Sequence, residues 1–384
     1  MKILITTDLF TTATNGVVTS VKNLYEELVK KGHEIRILTF SENKTSYKKG
    51  PAYFIGSRPF NVYPDVRCPS KFRHPYVKEL IEWKPDVIHS QCEFFSFQFA
   101  KRIAKKTKAP IVHTYHTLYE QYVTYVIPFK RLGKRLVRVA SRWRLKRVRT
   151  IIAPTKKVEN TLHFYKIKND IRVIPSGISL SQHKTRLSNE ERAAKRAELG
   201  VAENQFALLN LGRLGTEKNL EELLNFFVKA RQKHPDLVFL IVGDGPDKQA
   251  LEKLAADLGI ADNVIFTGMV APDDVQKYYQ LGDLFVGAST SETQGLTYVE
   301  AAANGLPLLC RKDPCLEDIL QDGKNGFEYT TEEEFLEKLD GILTDETWHA
   351  EAKLASERAA EPFDKSNFAA AVENVYLTAL TPQK

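Results

Sequence analysis

The sequence predicts a two-domain α/β protein in which each domain is built on a parallel sheet. Three observations predict it. The chain has 384 residues, enough for two α/β domains of roughly 150–200 residues each. Short β-branched runs alternate with amphipathic stretches from one end to the other, the pattern of successive βαβ units. The charge balance also changes sign along the chain: residues 1–178 carry 34 Lys and Arg against 13 Asp and Glu, and the remainder carries 21 against 35.

In the first half, strands are expected at Lys2–Thr7, Glu34–Thr39, Val87–Ser90, Ile111–Tyr115, Thr150–Ala153 and Ile171–Ile174. Between the first two, Val18, Val21, Leu24 and Leu28 recur at helical spacing over Val17–Lys31 until Gly32 stops the helix. A second series follows the polar stretch Ser188–Asn204, with strands at Phe206–Gly212, Leu237–Val242, Val264–Thr267, Leu284–Ala288 and Leu306–Cys310. Helices are expected at Asn219–His234, Asp247–Leu258 and Leu296–Asn304. Pro175-Ser176-Gly177 is a natural hinge, which gives domains of 1–178 and 179–362. A last helical stretch, 363–384, is expected to return to the first domain.

With 43% hydrophobic residues and no low-complexity tract, the composition excludes a disordered or fibrous chain. The opening apolar run Ile3-Leu4-Ile5 is too short for a signal-peptide core, and no run approaches the ~18 apolar residues of a membrane span. The expectation is a cytoplasmic protein with at most peripheral contact at the inner face of the cell membrane. Cys68, Cys92, Cys310 and Cys315 lack metal-site spacing and are expected to be free thiols.

Two segments of the second half carry chemistry. In Gly212-Arg213-Leu214-Gly215-Thr216-Glu217-Lys218, a strand-to-helix turn holds a planar guanidinium and a mobile ammonium, suited to a diphosphate. Alone, the two cations read first as solvated surface charge. In Ser291-Glu292-Thr293-Gln294-Gly295-Leu296-Thr297-Tyr298-Val299-Glu300, Gly295 permits close backbone approach at a helix N-terminus, a site for phosphate. Glu292 and Glu300 are placed to address hydroxyls of one ligand.

These motifs, taken in order, resemble the retaining glycosyltransferases of family 4, with the two-domain GT-B fold. The resemblance rests on the Asn15-Gly16-Val17 loop, His116, Gly212-Arg213-Leu214 with Lys218, Val242-Gly243-Asp244-Gly245-Pro246, Phe266-Thr267-Gly268, and the Glu292/Glu300 pair. Gln294, where many members carry an aromatic residue, makes the segment similar to that of Gram-positive diacylglycerol and glycosyl-diacylglycerol glycosyltransferases. The resemblance implies two Rossmann-like domains facing each other across a cleft and hexosyl transfer from a UDP-sugar. It implies that Arg213 and Lys218 hold the diphosphate, Glu292 the hexose, Glu300 the ribose, and the backbone of Gly268–Val270 the base. Gly295, Leu296 and Thr297 complete the donor site, Gly16 lets the first domain's loop close on the phosphates, and His116 joins Glu292, Arg213 and Lys218 in catalysis. No resident cofactor or metal is implied; the UDP-hexose is substrate.

The implied acceptor is a membrane lipid, glucosyl-diacylglycerol in preference to diacylglycerol, with a soluble sugar as a rival. Residues 130–149 hold ten basic residues and no acid. Lys130, Arg131, Lys134, Arg135, Arg138, Arg142, Lys146 and Arg147 share that stretch with Trp143 and with Leu132, Leu136 and Val139 at helical spacing. This is the pattern of a helix lying on anionic lipid, its apolar stripe free to face either the sheet or the bilayer. Phe94, Phe95, Tyr119, Tyr122 and Tyr125 are candidates for an acceptor entrance or for core. The basic half also fits a nucleic-acid binder, but no nucleic-acid module accompanies it.

Overall fold

The computed structural model describes residues 1–10, 15–60, 67–122 and 130–381, without the side chains of 121, 122 and 130. The chain divides into two compact units, Met1–Ile178 with Lys365–Lys384, and Ser179–Asp364.

The first unit holds, in chain order, β1 (Lys2–Thr6), α1 (Gly16–Lys30), β2 (Glu34–Phe40), β3 (Tyr47–Lys49), β4 (Ala52–Ile55) and the hairpin β5 (Ser57–Pro59) and β6 (Arg67–Pro69). There follow α2 (Pro75–Trp83), β7 (Val87–Ser90), α3 (Phe95–Thr107), β8 (Ile111–Thr114), α4 (Tyr119–Tyr122), α5 (Lys130–Leu145), β9 (Thr150–Ala153), α6 (Lys156–Phe164) and β10 (Asp170–Val173). The main sheet runs β10-β9-β8-β7-β1-β2-β4-β3, parallel except for the edge strand β3. Its central strands are buried on both faces, which is why they read as continuous apolar runs.

The second unit holds α7 (Leu180–His183), α8 (Asn189–Glu198), β11 (Phe206–Leu211), α9 (Leu220–Lys233), β12 (Leu237–Val242), α10 (Lys248–Asp257), β13 (Val264–Gly268), α11 (Val275–Tyr279) and β14 (Leu284–Gly287). It ends with α12 (Leu296–Ala303), β15 (Leu308–Arg311), β16 (Gly326–Tyr329), α13 (Glu332–Thr344) and α14 (Glu346–Ala360). Its sheet is wholly parallel, ordered β13-β12-β11-β14-β15-β16. In local numbering that is 3-2-1-4-5-6, the dinucleotide-fold order, whose direction reverses between β11 and β14.

The final helix, α15 (Lys365–Leu380), belongs to the first unit. Phe368, Ala369, Val372, Val375 and Tyr376 share a core with Ile3, Ile5, Val21, Leu24 and Val112. The proposed hinge segment is fastened within this same unit. Asn23 Nδ2 donates to Gly177 O at 2.9 Å, Lys365 N donates to Ile178 O at 2.9 Å, and a Cβ on Gly177 would lie 2.6 Å from Lys365 Cα.

The basic helix ends at Leu145, short of the expected 149, and its apolar stripe takes the outward one of the two faces left open: Leu132, Leu136 and Val139 are about half exposed and Trp143 is 71% exposed. The side turned inward carries Val137, Ser141 and Leu145 instead, at four-residue steps. The core place is already filled, so the stripe faces out.

Candidate active site

Two crossovers of the second sheet leave from its reversal point. After β11 the backbone passes through Gly212-Arg213-Leu214 into a short 3₁₀ turn, Thr216–Lys218. This turn is stitched to the neighbouring loop by Gly212 N to Val242 O at 2.9 Å and Leu214 N to Asp244 O at 2.9 Å. Gly243 has a φ of +131°, and a Cβ there would sit 1.9 Å from Gly212 O, so no other residue fits the close approach. Gly268 ends β13 and accepts from Gly243 N at 3.0 Å, which joins the expected base-binding stretch Gly268–Val270 to the same cluster of loops.

After β14 the chain runs to α12, whose N-cap Gly295 has a φ of +71°. A Cβ there would lie 2.4 Å from Tyr298 Cδ2 and 3.5 Å from Glu292 Cγ. The loop is held to the opposite turn by Ser289 Oγ, which donates to Glu217 O at 3.1 Å. Between them, Lys218 Nζ donates to Glu292 Oε1 at 2.5 Å. Leu296 and Thr297 form the first turn of α12 and are partly exposed. Arg213 stands on the same turn as Lys218 and is more open, its Nη1 3.5 Å from Glu217 Oε1.

Glu300 lies one turn further along α12. Burial raises its carboxyl from the ordinary 4.5 to about 7, opposed by a hydrogen bond from Tyr279 Oη at 2.8 Å and by the charge of Lys218. The structure therefore brings Lys218, Glu292, Gly295 and Glu300 together at the reversal point of one sheet. Tyr279 was not anticipated, because α11 has only five residues and no pattern that marks it.

Gly16 and His116 belong to the first unit. Gly16 is the first residue of α1, where Asn15 caps the helix by accepting from Val18 N at 2.9 Å. His116 follows β8, and its Nε2 lies 2.8 Å from Gln91 Oε1 at the end of β7. Burial of the ring, with His113 beside it, lowers the His116 pKa to about 3. The imidazole is neutral at any working pH, and since an amide oxygen only accepts, Nε2 carries the proton. Gln91 lies between Ser90 and Cys92 with no sequence pattern that marks it. His113 is buried against Phe97 and bonded to Glu93 Oε1 at 3.1 Å, a packing role. His89 bonds Tyr376 Oη at 2.7 Å and Thr114 Oγ1 at 2.8 Å.

Phe94 and Tyr119 pack edge to face at 5.4 Å, while Tyr125 lies outside the described residues. Cys68 and Cys92 are partly buried free thiols, Cys310 and Cys315 fully buried ones. Among the described residues, no group of three or more His, Cys, Asp or Glu could hold a metal ion, and no helix is long and apolar enough to cross a membrane.

Two α/β units, the second with cations, carboxylates and a helix N-terminus converging on the reversal point of its parallel sheet, define a protein of the doubly wound α/β class, in which ligands sit at that point. Comparisons with known proteins narrow this class. Residues 14–182 match Glycosyltransferase Family 4 and residues 191–361 match Glycosyl transferases group 1. The chain is 34% identical to alpha-monoglucosyldiacylglycerol synthase of Streptococcus pneumoniae, over 99% of this chain and 86% of that one. It is 32% identical to the protein of the same name from Acholeplasma laidlawii, over 98% and 97%. Among solved structures, Anabaena HepE in complex with UDP superimposes with a TM-score of 0.78 at 17% identity, over 98% of this chain and all of that one, a likeness of fold. The chain belongs to the family 4 glycosyltransferases, has the GT-B fold, and is a hexosyltransferase.

Proposed function

We propose that the protein transfers glucose or galactose from a UDP-sugar to diacylglycerol at an anionic membrane surface, with retention of anomeric configuration. The observation that carries the donor half is the convergence of Lys218, Glu292, Gly295 and Glu300 at the reversal point of the second sheet. Lys218 and Arg213 offset the charge that grows on the diphosphate as its bond to the sugar C1 breaks, and the N-terminus of α12 adds fixed N–H groups. Divalent metal is dispensable on this reading, because these groups supply the positive charge. Glu300 addresses the ribose, Glu292 the hexose, and the backbone of Gly268–Val270 the base. A bond forms from the acceptor oxygen to C1 on the face the diphosphate leaves, and the acceptor proton passes to a phosphate oxygen. His116, neutral and held by Gln91, hydrogen-bonds a hydroxyl and does not move this proton. Gly16, the first residue of α1, is assigned to the phosphates.

Diacylglycerol is placed ahead of glucosyl-diacylglycerol because both named relatives are monoglucosyl-diacylglycerol synthases. The surface of α5 supports a lipid partner. Leu132, Leu136, Val139 and Trp143 project outward among Arg131, Arg135, Arg142, Lys146 and Arg147, which suits a peripheral protein at the inner face of the cell membrane. The basic field of the first unit is assigned to lipid.

The test is incubation of the full chain with UDP-glucose or UDP-galactose and mixed vesicles holding diacylglycerol or glucosyl-diacylglycerol, in the presence and absence of EDTA, with mass identification of the lipid product. A monohexosyl-diacylglycerol formed equally with EDTA is expected. A dihexosyl product formed only from glucosyl-diacylglycerol would reassign the acceptor, and loss of turnover with EDTA would overturn the metal-free reading.

A further inference from the structure

Tyr279 ends helix α11 and is completely buried. Its ring lies against Phe285 of β14 and His183 of α7, with centroids 6.2 and 6.4 Å away, so it has little room to turn. A phenol enclosed in this way needs a partner for its hydroxyl, and it donates to Glu300 Oε2 at 2.8 Å. The helix that bears Glu300 is fixed from another side as well. Asn304 Nδ2 donates to Glu300 O at 2.9 Å and lies 2.8 Å from His183 Nδ1. His183 of α7 thus touches the Tyr279 ring on one side and reaches the Glu300 backbone through Asn304 on the other.

A carboxylate side chain rotates broadly about its last bond, so its direction is set by what it touches. We infer that Tyr279 is a positioning residue for nucleotide binding: its hydroxyl fixes the Glu300 carboxylate in one orientation and keeps it an acceptor, ready to receive the two adjacent hydroxyls of a ribose. This deepens the reading of Glu300 as the ribose residue and rests on it. Oε2 is turned to the phenol and keeps a second lone pair, leaving Oε1 to address the sugar. Placement by a rigid neighbour removes a freedom that ligand binding would otherwise have to freeze.

Ionisation supports the same role. The groups facing the Glu300 carboxyl are Tyr279 from α11 and Lys218 from the turn after β11; Lys218 is itself engaged with Glu292, and His183 of α7 stands behind Asn304. Burial pushes the carboxyl up to about 7, while the Tyr279 bond and then Lys218 hold it down. Without the phenol hydroxyl the first restraint is gone and the acid takes up its proton already above neutral pH. A protonated carboxyl donates at one oxygen and no longer accepts from both ribose hydroxyls.

The test is calorimetric binding of UDP and of 2′-deoxy-UDP to the full chain and to Tyr279→Phe and Glu300→Ala, from mildly acidic to mildly alkaline pH. Tyr279→Phe keeps the ring volume, and a thermal melt checks that the fold is intact. It is expected to weaken UDP about tenfold near neutral pH, the scale of one hydrogen bond to a charged group. The deficit should shrink as pH rises, and the preference for UDP over 2′-deoxy-UDP should fall. Unchanged affinity and pH dependence would overturn the inference. So would a loss equal at every pH with ribose preference intact, which marks packing alone. If Glu300→Ala binds UDP as tightly as the unmodified chain, the ribose reading of Glu300 itself fails, a result distinct from either.

Discussion

Lys218 Nζ and Glu292 Oε1 stand 2.5 Å apart, with each side chain less than one-fifth exposed. A partly buried pair of this kind strengthens with the low local dielectric and leaves a costly charge when one member is removed. In the proposed reaction the same ammonium must serve a diphosphate, so the carboxylate competes with the ligand for it. Lys218→Ala is expected to weaken UDP binding at least about tenfold and lower turnover by roughly 10²–10³, the range for losing one group aimed at developing negative charge. Glu292→Ala removes the competitor. It should leave UDP affinity equal or tighter while abolishing transfer, a split read by calorimetry beside product formation. Weaker UDP binding by Glu292→Ala would overturn the competition.

His116 and Gln91 give the second expectation. Gln91 is buried and its Oε1 faces His116 Nε2, so the amide sets the ring's tautomer. With the ring neutral down to about pH 3, turnover should show no limb from His116 titration. Gln91→Leu is expected to lower kcat by about tenfold, the cost of one lost orienting hydrogen bond, and Gln91→Glu to restore part of it. Nitrogen-detected NMR of the imidazole checks the tautomer directly. A mixture of tautomers in the unmodified chain would count against the assignment.

Asp8, just beyond β1, couples pH to stability. Its Oδ1 accepts from Ser96 N at 2.8 Å near the start of α3, and burial lifts its pKa from 3.8 to about 7 despite that bond. The native state therefore holds a proton that the unfolded chain has lost between these values. Stability from the neutral acid is complete below pH 4 and is lost as pH rises through 7. Asp8→Asn keeps an acceptor for Ser96 without the buried charge. It should match the unmodified chain at acidic pH and exceed it in mild alkali by on the order of 4 kcal/mol, measured by urea unfolding at both pH values. An advantage that was largest in acid would reverse the sign and refute the assignment.

Much of this was legible in the sequence because burial on both faces of a parallel strand leaves a continuous apolar run. Thr150–Ala153 reads as the strand it is, and Phe206–Gly212 overshoots β11 by one residue. Strand boundaries slipped where an apolar run begins in a turn: Leu306 and Pro307 precede β15, which starts at Leu308. The Lys218/Glu292/Glu300 set was readable because glycines and helix starts punctuate it. Tyr279 and Gln91 were not, since their importance comes from a neighbour distant in sequence, 21 residues away for Tyr279 and 25 for Gln91. Composition likewise could not say which face of α5 packs inward. Spacing made Leu132, Leu136, Val139 and Trp143 one stripe, but Val137, Ser141 and Leu145 form another, and only packing against the sheet chooses between them.

That choice decides how membrane binding should respond to substitution. Arg138 is not a free surface cation: its Nε donates to Glu120 Oε1 at 2.6 Å, and its guanidinium lies 4.3 Å from the exposed Phe164 ring. Arg144 likewise donates to Glu93 O. Neutralising either disturbs the packing of α5 as well as its field, so the informative changes are elsewhere. Arg142→Gln, Lys146→Gln and Arg147→Gln together are expected to cut binding to anionic vesicles by about 3 kcal/mol, at roughly 1 kcal/mol per cation near the surface, and to flatten its salt dependence. Trp143→Ala, at the most exposed apolar position of the stripe, should weaken binding to anionic and neutral vesicles alike, because its contribution is buried area and not charge. Vesicle sedimentation across a salt series separates the two effects. If both sets of variants sediment like the unmodified chain, α5 is a solvated helix and the lipid surface must be sought elsewhere on the first unit.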